Sequence, residues 1–272
     1  MPQEVTAQLD GLIRGALSFN VGDRGRDQIR MREGAITIAA LGDVHYGRTS
    51  QGALQPVLAQ IATKADLLVL CGDLTDFGLP EEAALLAKDL AAAKIPTVSV
   101  LGNHDYEGGK SDEIKKVLQD AGVIVLDGDT TEVHGVGFAG VKGFAGGFGR
   151  GTLGPWGEDA VKKFVHEAVS ESLKLETALA RLRTRHKIAV LHYSPIRATC
   201  EGEPPEIMPW LGTSRLEEPI DRYGVAAVFH GHAHNGQPEG TTARNTPVYN
   251  VSLPLLRRLS PDQPFCTLTL SA

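Results

Sequence analysis

Short apolar runs rich in β-branched residues alternate with amphipathic segments along most of the chain. Five of the runs are continuously apolar and end at turn residues, as buried strands do. They lie at 35–41, 66–71, 96–101, 187–191 and 225–229. Helical periodicity predicts helices between the first runs, at 51–63, 80–93 and 111–121. The second of these helices has Pro80 at its first position and two glutamates in its first turn, which is the polarity expected of a helix start.

Shorter apolar runs indicate a second sheet. They lie at 123–126, 131–134, 136–141, 248–252 and 266–270. Strands that alternate with helices require crossover connections, and these give partly parallel sheets covered by helices. We therefore predict the α/β class, as a four-layer α/β sandwich in which two mixed sheets pack face to face with helices outside. A long polar-rich helix at 158–185 is expected to act as a lid or to cover a flank.

The N-terminal segment differs from the rest of the chain. Apolar residues at helical spacing over 5–17 predict a short amphipathic helix, followed by a charged stretch. We expect residues 1–34 to form a helical arm or linker and 35–272 to form a single domain. The arm offers a possible contact for a homo-oligomer. Glu4 and Asp10 lie where a signal peptide carries basic residues, so a cytoplasmic protein without a membrane segment is expected.

Composition narrows the classes of partner. The 272 residues include 27 Lys plus Arg and 33 Asp plus Glu, so the net charge is −6. This balance argues against a broad nucleic-acid-binding surface. Cys71, Cys200 and Cys266 are far apart, which favours neither a disulfide framework nor a thiolate zinc site. The unusual feature is nine histidines in an acidic chain.

Metal-ligand residue types follow each of the five buried runs. In order, the runs are followed by Asp43 and His45; Asp73 and Asp76; Asn103, His104 and Asp105; His192; and His230, His232 and His234. One histidine after one strand is usually a packing or capping residue. In α/β proteins, however, ligands bind beyond the carboxyl ends of the strands. Five such strand ends at one edge therefore predict a single site.

The ligand types favour a site for two metal ions. Nitrogen and oxygen donors without sulfur suit Mn, Fe or Zn. Asp43 and His45 are two residues apart, so an extended backbone would turn both side chains to the same side; the same applies to His232 and His234. Asp73 can bridge two cations with its two carboxylate oxygens.

Two further sets of residues fit this arrangement. Asn103 and His192 would complete the second sphere. Glycines precede Asp43, Asp73 and Asn103, and they would permit close backbone approach.

These ordered blocks resemble the calcineurin-like metallophosphoesterase superfamily from about residue 35 to 252. The resemblance implies two divalent or trivalent metal ions, with a bridging hydroxide that attacks phosphorus. It implies the following ligands: Asp43, His45, Asp73 and His234 for one ion, and Asp73, Asn103, His192 and His232 for the other. It also implies that His104 protonates or stabilises the leaving oxygen and that Asp76 fixes the tautomer of His104. His230 lies outside the pattern and is expected to be a packing residue or to support the ligands through a contact behind them.

One departure from the family pattern bears on the substrate. Phosphoprotein phosphatases carry an arginine after the second block, whereas here Asp76 is followed by Phe77 and Gly78. A protein phosphatase is therefore disfavoured, and phosphate contacts must come from other cations. The candidates are Arg48, Lys142, Arg150 and Arg197.

Two loops are candidates for a gate or a substrate wall. They lie at 143–157, which contains seven glycines, and at 198–211. The first contains G-x-G-x-x-G at 149–154, but it lacks the strand-turn-helix context of a dinucleotide site.

The sequence thus predicts a dinuclear metal-dependent phosphoesterase that acts on phosphodiesters or small phosphate esters. The alternative among enzymes is a phosphomonoesterase of small molecules. A non-catalytic scaffold with the same fold is the alternative from a different class, but it would be expected to lack some of the ligands.

Overall fold

The computed structural model describes residues 34–271. The helix predicted at 5–17, and with it nearly all of the arm and its oligomer contact, lies outside the described residues. The strands are β1 (Ala35–Leu41), β2 (Leu67–Cys71), β3 (Thr97–Val100), β4 (Ile124–Val125), β5 (Asp129–Val133), β6 (Val136–Gly140), β7 (His186–Val190), β8 (Ala227–His230), β9 (Glu239–Thr241), β10 (Pro247–Asn250) and β11 (Cys266–Ser271). The helices are α1 (Gln55–Lys64), α2 (Pro80–Ala93), α3 (His104–Glu107), α4 (Ser111–Asp120), α5 (Asp159–Arg181), α6 (Glu217–Tyr223) and α7 (Leu253–Leu259).

The strands form two mixed sheets. The first has the order β11-β1-β2-β3-β4, in which β1 to β4 are parallel and β11 pairs antiparallel with β1. The second has the order β5-β6-β7-β8-β10-β9. Its four central strands are parallel, and β5 and β9 close the edges in antiparallel pairing. The carboxyl ends of the central strands within each sheet therefore point to one edge.

Three apolar cores separate four layers. In β1, Ala39 and Leu41 pack under helices α1, α2 and α4, while Ile38 and Ala40 face the second sheet. This alternation is the two-residue period of a strand buried on both faces. The third core lies between the outer face of the second sheet and helices α5 and α6. The predicted four-layer α/β sandwich is confirmed, but the runs at 123–126 and 266–270, predicted for the second sheet, form β4 and β11 of the first.

Most predicted elements lie within two residues of the observed ones, and the differences have local causes. Helix α1 begins at Gln55 instead of 51 because residues 51–54 form turns. Helix α5 ends at Arg181, and its residues Leu175 and Leu179 are buried in the third core, so this helix covers a flank of the sheet. The sequence analysis missed α3, α6, α7 and β9, which have three to seven residues and are too short to show a period.

No helix between residues 34 and 271 combines the length and apolar character needed to cross a membrane.

Candidate functional site

The loops that follow five parallel strands meet at one edge of the molecule. The Asp43 amide donates to the Gly72 carbonyl at 2.9 Å, and the His45 amide donates to the Asp73 carbonyl at 3.0 Å. Within the second sheet the Gly231 amide donates to the His192 carbonyl at 3.1 Å, and the two sheets are joined by the Gly42 amide, which donates to the Val251 carbonyl at 2.8 Å. Because the backbone of each loop is bonded to its neighbour, the side chains on these loops are held in fixed relative positions.

All seven predicted ligands and His104 lie together at this edge. Three groups of potential ligand atoms each fall within 4.8 Å of one another: Asp43, His45 and His234; His45, Asp73 and His104; and Asp73, His192 and His232. Asn103 joins them, because its Oδ1 lies 2.8 Å from His192 Nε2. The groups share residues and therefore form one continuous cluster.

The Asp73 carboxylate lies between the two outer groups. Its Oδ1 is 3.3 Å from His192 Nε2, and its Oδ2 is 3.9 Å from His45 Nε2. The two oxygens of one buried carboxylate thus face nitrogen donors from different sheets. This is the arrangement a residue needs in order to bind two cations at once.

The backbone at four of the seven predicted ligands is left-handed and not extended, so the alternation argument for Asp43 and His45 was wrong. The φ values are 55° at Asp43, 44° at His45, 48° at Asp73 and 71° at His232. Residues other than glycine pay a steric cost for such angles, and they keep them only where the surroundings enforce them. The tight turn after each strand, and not strand alternation, brings these side chains to one side.

Two glycines make these turns possible. A Cβ at Gly72, where φ is 79°, would lie 2.6 Å from His192 Nδ1, and one at Gly102 would lie 2.2 Å from both the amide nitrogen and Oδ1 of Asp73. Neither position has room for any other residue.

We expect Gly102→Ala to weaken metal binding by about 10- to 100-fold, because the added methyl group must displace the Asp73 backbone and carboxylate. Titration of the metal-free protein with Mn²⁺ measures this loss. Gly151→Ala is the matched control, since a Cβ at Gly151 meets no atom within 4 Å. Equal Mn²⁺ affinity in both variants would contradict the expected role of Gly102.

Two histidines, the buried His192 and the half-buried His232, are held as neutral imidazoles. Burial lowers the pKa of His192 well below its usual value, and its Nδ1 donates to the Cys71 carbonyl at 2.9 Å. Burial also lowers the pKa of His232 to about 3, and its Nε2 donates to the Trp210 carbonyl at 3.2 Å. These hydrogen bonds leave Nε2 of His192 and Nδ1 of His232 unprotonated, which is the form that binds a metal.

The cluster fits a cation chemically. Both ring nitrogens of His45 are buried without a hydrogen-bond partner among the described residues. Burial raises the pKa of Asp43 to about 6, although the hydrogen bond from His234 opposes the shift. Unpartnered buried donors and desolvated carboxylates are costly, and a bound cation relieves both costs. Nitrogen and oxygen donors suit ions such as Mn, Fe or Zn.

The predicted role of Asp76 needs a correction. His104 Nδ1 lies 2.8 Å from the backbone carbonyl of Asp76, not from its carboxylate, which instead lies 3.8 Å from His45 Nδ1. The main chain therefore fixes the His104 tautomer. Burial by itself would lower the pKa of His104, but the Asp76 carbonyl and the carboxylates of Asp73 and Glu107 outweigh it, so the pKa is raised.

Asp105 is a positioning residue to which the sequence analysis gave no role. Its buried carboxylate accepts hydrogen bonds from the Thr75 amide (2.8 Å), the Thr75 hydroxyl (2.6 Å) and the Gly102 amide (2.7 Å). It thereby ties the loop of Asp73 to the loop of Asn103. Burial raises the pKa of this carboxyl to about 6.

His230 has the structural role expected of it. The side chain is fully buried, with Nδ1 donating to the Gly231 carbonyl at 2.7 Å and Nε2 lying 2.8 Å from the Thr199 hydroxyl oxygen. Burial lowers its pKa from 6.5 to about 4. The folded protein therefore resists protonating this ring, whereas the unfolded chain takes up the proton.

The resulting pH dependence is testable. Between pH 6.5 and 4 the unfolded state binds more protons at this residue, so the free energy of unfolding falls as the pH drops, by about 3 kcal/mol. In His230→Asn, which does not titrate, this part of the decline is lost. Urea unfolding of the metal-free proteins at pH 7 and pH 4 measures the difference. Parallel declines in the two proteins would contradict the assignment.

The four candidate phosphate contacts differ in environment. Lys142 Nζ donates to the Gly143 carbonyl at 2.8 Å and lies 4.9 Å from the ring centre of Phe144 and 5.4 Å from that of Tyr193. Burial lowers the pKa of this amine. Lys142 is thus engaged in an aromatic cage. The other three candidates are exposed: Arg48, Arg150 and Arg197.

The two loops suggested as a gate are bonded to each other. The Gly146 amide donates to the Pro209 carbonyl at 2.8 Å, and the Gly147 amide donates to the Gly212 carbonyl at 2.9 Å. Two tryptophans on these loops are largely exposed, Trp156 at 72% and Trp210 at 58%. Because the Trp210 carbonyl accepts the His232 hydrogen bond, the loops form a wall beside the cluster.

Solved structures share this fold at low sequence identity. A phosphopantetheinyl hydrolase from Mycobacterium tuberculosis is 18% identical with a TM-score of 0.62, covering 85% of this chain and 95% of that one. GAP50, an anchor in the inner membrane complex of Plasmodium, is 14% identical with a TM-score of 0.52, covering 88% and 82%. A putative 5′-nucleotidase from Staphylococcus aureus is 15% identical with a TM-score of 0.50, covering 79% and 48%.

No curated protein sequence matches the chain. The family model described as calcineurin-like phosphoesterase matches residues 36–236, which is more than half of the 272 residues and includes every residue of the cluster. The chain therefore belongs to the calcineurin-like phosphoesterase family.

Proposed function

We propose that the protein is a dinuclear metal-dependent phosphoesterase acting on phosphodiesters or small phosphate esters. The observation that carries the proposal is the Asp73 carboxylate, which faces His45 with one oxygen and His192 with the other. Two bound metal ions would supply charge that attracts and polarises the phosphate, together with a nucleophile at neutral pH. The proposed ligands are the seven residues Asp43, His45, Asp73, Asn103, His192, His232 and His234.

His104 is proposed to give a proton to the leaving oxygen. Its Nδ1 is bonded to the Asp76 carbonyl, so Nε2 is the nitrogen available for proton transfer. A raised pKa keeps the ring protonated to higher pH, as a general acid requires. The His104 ring lies 4.6 Å from the ring of His45, which places it beside the proposed ligands.

The preference for diesters rests on charge. A phosphomonoester carries up to two negative charges and a diester one, so a monoesterase gains more from additional cations around the metals. Lys142 is bonded to the Gly143 carbonyl, and Arg48, Arg150 and Arg197 are exposed to solvent. Arg257 and Arg258 on α7, which lie near the ligands, are exposed too. No buried arginine among residues 34–271 is available to grip a phosphate, which favours the substrate with the smaller charge.

The test is hydrolysis of bis-aryl and mono-aryl phosphates by the Mn²⁺-loaded protein. We expect turnover of both to be metal-dependent and faster with the diester. The reverse ratio would favour the phosphomonoesterase alternative. His232→Ala should remove Mn²⁺-dependent hydrolysis, whereas His166→Ala, which changes an exposed histidine on α5, should retain it.

A scaffold remains the alternative from another class. The structural relative described as an anchor and the exposed Trp156 and Trp210 favour it. A scaffold has no need of a complete set of ligands, and this chain carries all seven. Absence of hydrolysis with every ester, in a protein that binds Mn²⁺, would support the scaffold.

A further inference from the structure

A cleft adjoins the candidate metal cluster. It is lined by the loop after β1 and by the start and last turn of α7, and its volume is about 340 Å³. Asp43 and His45, two proposed ligands, are among its lining residues. Small-molecule sites have volumes of about 300 to 1,000 Å³, so the cleft is large enough for the organic part of a small ester.

Both walls of the cleft are fixed in place. On one side, the Leu253 amide at the start of α7 donates to the Gly42 carbonyl at 2.9 Å. On the other side, the buried hydroxyl of Tyr46 is bonded to Asp89 and accepts the Leu54 amide at 3.1 Å. These bonds hold the walls before any ligand arrives, which lowers the cost of ordering them on binding.

The cleft combines an apolar surface with a single cation. Val44, Ala53, Leu253 and Pro254 supply the apolar surface. Arg257, on the last turn of α7, is the lining residue with a positive charge, and its guanidinium makes no hydrogen bond or ion pair with another residue of 34–271. An apolar wall with one unpaired guanidinium matches an apolar chain that carries an anionic group.

The position of His45 connects this cleft to the reaction. His45 lines the cleft and also contacts the ring of His104, the proposed proton donor. In the hydrolysis, the oxygen of water forms a new bond to phosphorus and releases a proton to solvent, the bond from phosphorus to the alcohol oxygen breaks, and His104 gives that oxygen a proton. An alcohol oxygen that takes its proton from His104 therefore lies next to His45, from where its chain can extend into the cleft.

We propose that this cleft binds the alcohol half of the phosphate ester and that Arg257 selects alcohols whose apolar chain ends in an anionic group. The proposal rests on the proposed phosphoesterase function and names its substrate class. Because Arg257 is exposed, the expected selectivity is modest, about three- to fivefold in kcat/KM.

The kinetic test compares the hydrolysis of hexyl phosphate with that of 6-phosphooxyhexanoate. The same comparison is made for the two phosphodiesters in which the phosphate of each compound also carries a methyl group. Release of the alcohol by the Mn²⁺-loaded protein is measured by mass spectrometry. We expect wild type to prefer the carboxylate, Arg257→Ala to lose the preference and Arg257→Lys to keep part of it. Arg244→Ala is the matched control, since it removes an exposed arginine before β10, at the end of the sheet opposite the site. A preference unchanged in Arg257→Ala would overturn the proposal.

A second variant tests the apolar wall. Ala53 is exposed and lines the cleft, so Ala53→Phe should fold and narrow the cleft. It should lower kcat/KM for hexyl phosphate more than for ethyl phosphate. Equal losses for the two esters would contradict binding of the alcohol chain in the cleft.

A binding measurement separates this proposal from the proposed function. The dissociation constants of 6-hydroxyhexanoate and 1,6-hexanediol are measured by NMR titration of wild type and Arg257→Ala. If no ester is hydrolysed but wild type prefers 6-hydroxyhexanoate and the variant does not, the phosphoesterase function is wrong and the cleft assignment stands. If esters are hydrolysed and neither protein shows a preference, the cleft assignment is wrong.

Discussion

Asp73→Asn is expected to lower phosphoester hydrolysis on the order of 10³-fold. The reason is that Asp73 offers one carboxylate oxygen to each ligand group, and the amide of asparagine loses both the charge and one of the two oxygens. Stabilisation of the transition state by metal ions amounts to several kcal/mol, and each 1.36 kcal/mol is about a factor of ten in rate. Steady-state kinetics with a bis-aryl phosphate in saturating Mn²⁺ measures the effect.

The matched control is Asp129→Asn, which removes an exposed carboxylate on the edge strand β5. It should retain wild-type activity. Circular dichroism shows whether Asp73→Asn folds, since Asp73 is buried. A folded Asp73→Asn variant with more than about a tenth of wild-type activity would exclude the bridging role.

His104→Ala should lower kcat by about 10²- to 10⁴-fold for an alkyl ester and much less for a nitrophenyl ester. The difference arises because an alkoxide needs a proton in order to leave, whereas nitrophenolate is stable without one. In wild type, the rate with the alkyl ester should fall as the pH rises through the raised pKa of His104. The variant should lack this decline.

His104 could be a proton donor or a metal ligand, because its ring nitrogen lies within 4.8 Å of potential ligand atoms on His45 and Asp73. The metal content of His104→Ala distinguishes these two roles. As a proton donor, His104 can be replaced without loss of metal. Equal rate losses for the two esters, together with loss of a metal ion, would instead identify His104 as a ligand.

The fold was predictable because both sheets are buried on two faces. Such strands appear as continuous apolar runs, and each central run ends where the chain must turn. The β-branched content and the turn residues fixed the type of element, although some ends shifted by up to four residues. Short elements were missed because α3 has only four residues and β9 only three.

The composition of the candidate site was predictable, but its local geometry was not. Residue types after each strand identify the side chains that meet at the sheet edge. They do not reveal that Asp43 and His45 adopt left-handed φ angles, because that conformation depends on hydrogen bonds to the loop after β2. Nor do they reveal that the backbone of Asp76, and not its side chain, holds His104.

Contacts between residues that are far apart in the sequence could not be predicted from the sequence pattern either. Arg257 approaches the site only because α7 is anchored at Gly42, more than 200 residues earlier in the chain. The sequence analysis named Asp105 beside Asn103 and His104, but the hydrogen bonds of Asp105 to Thr75 depend on how β2 and β3 pair. Single-sequence patterns carry no such information.

The number of Mn²⁺ ions bound per chain tests the central claim most directly. The protein is stripped with a chelator, dialysed against Mn²⁺ and then against metal-free buffer, and its metal content is measured by inductively coupled plasma mass spectrometry. The proposed ligands lie on both sides of Asp73, with His45 facing one of its carboxylate oxygens and His192 the other, and they predict close to two ions per chain in wild type and at most one in Asp73→Asn. A wild-type protein that retains one ion or none, or an Asp73→Asn variant that retains two, would contradict the account.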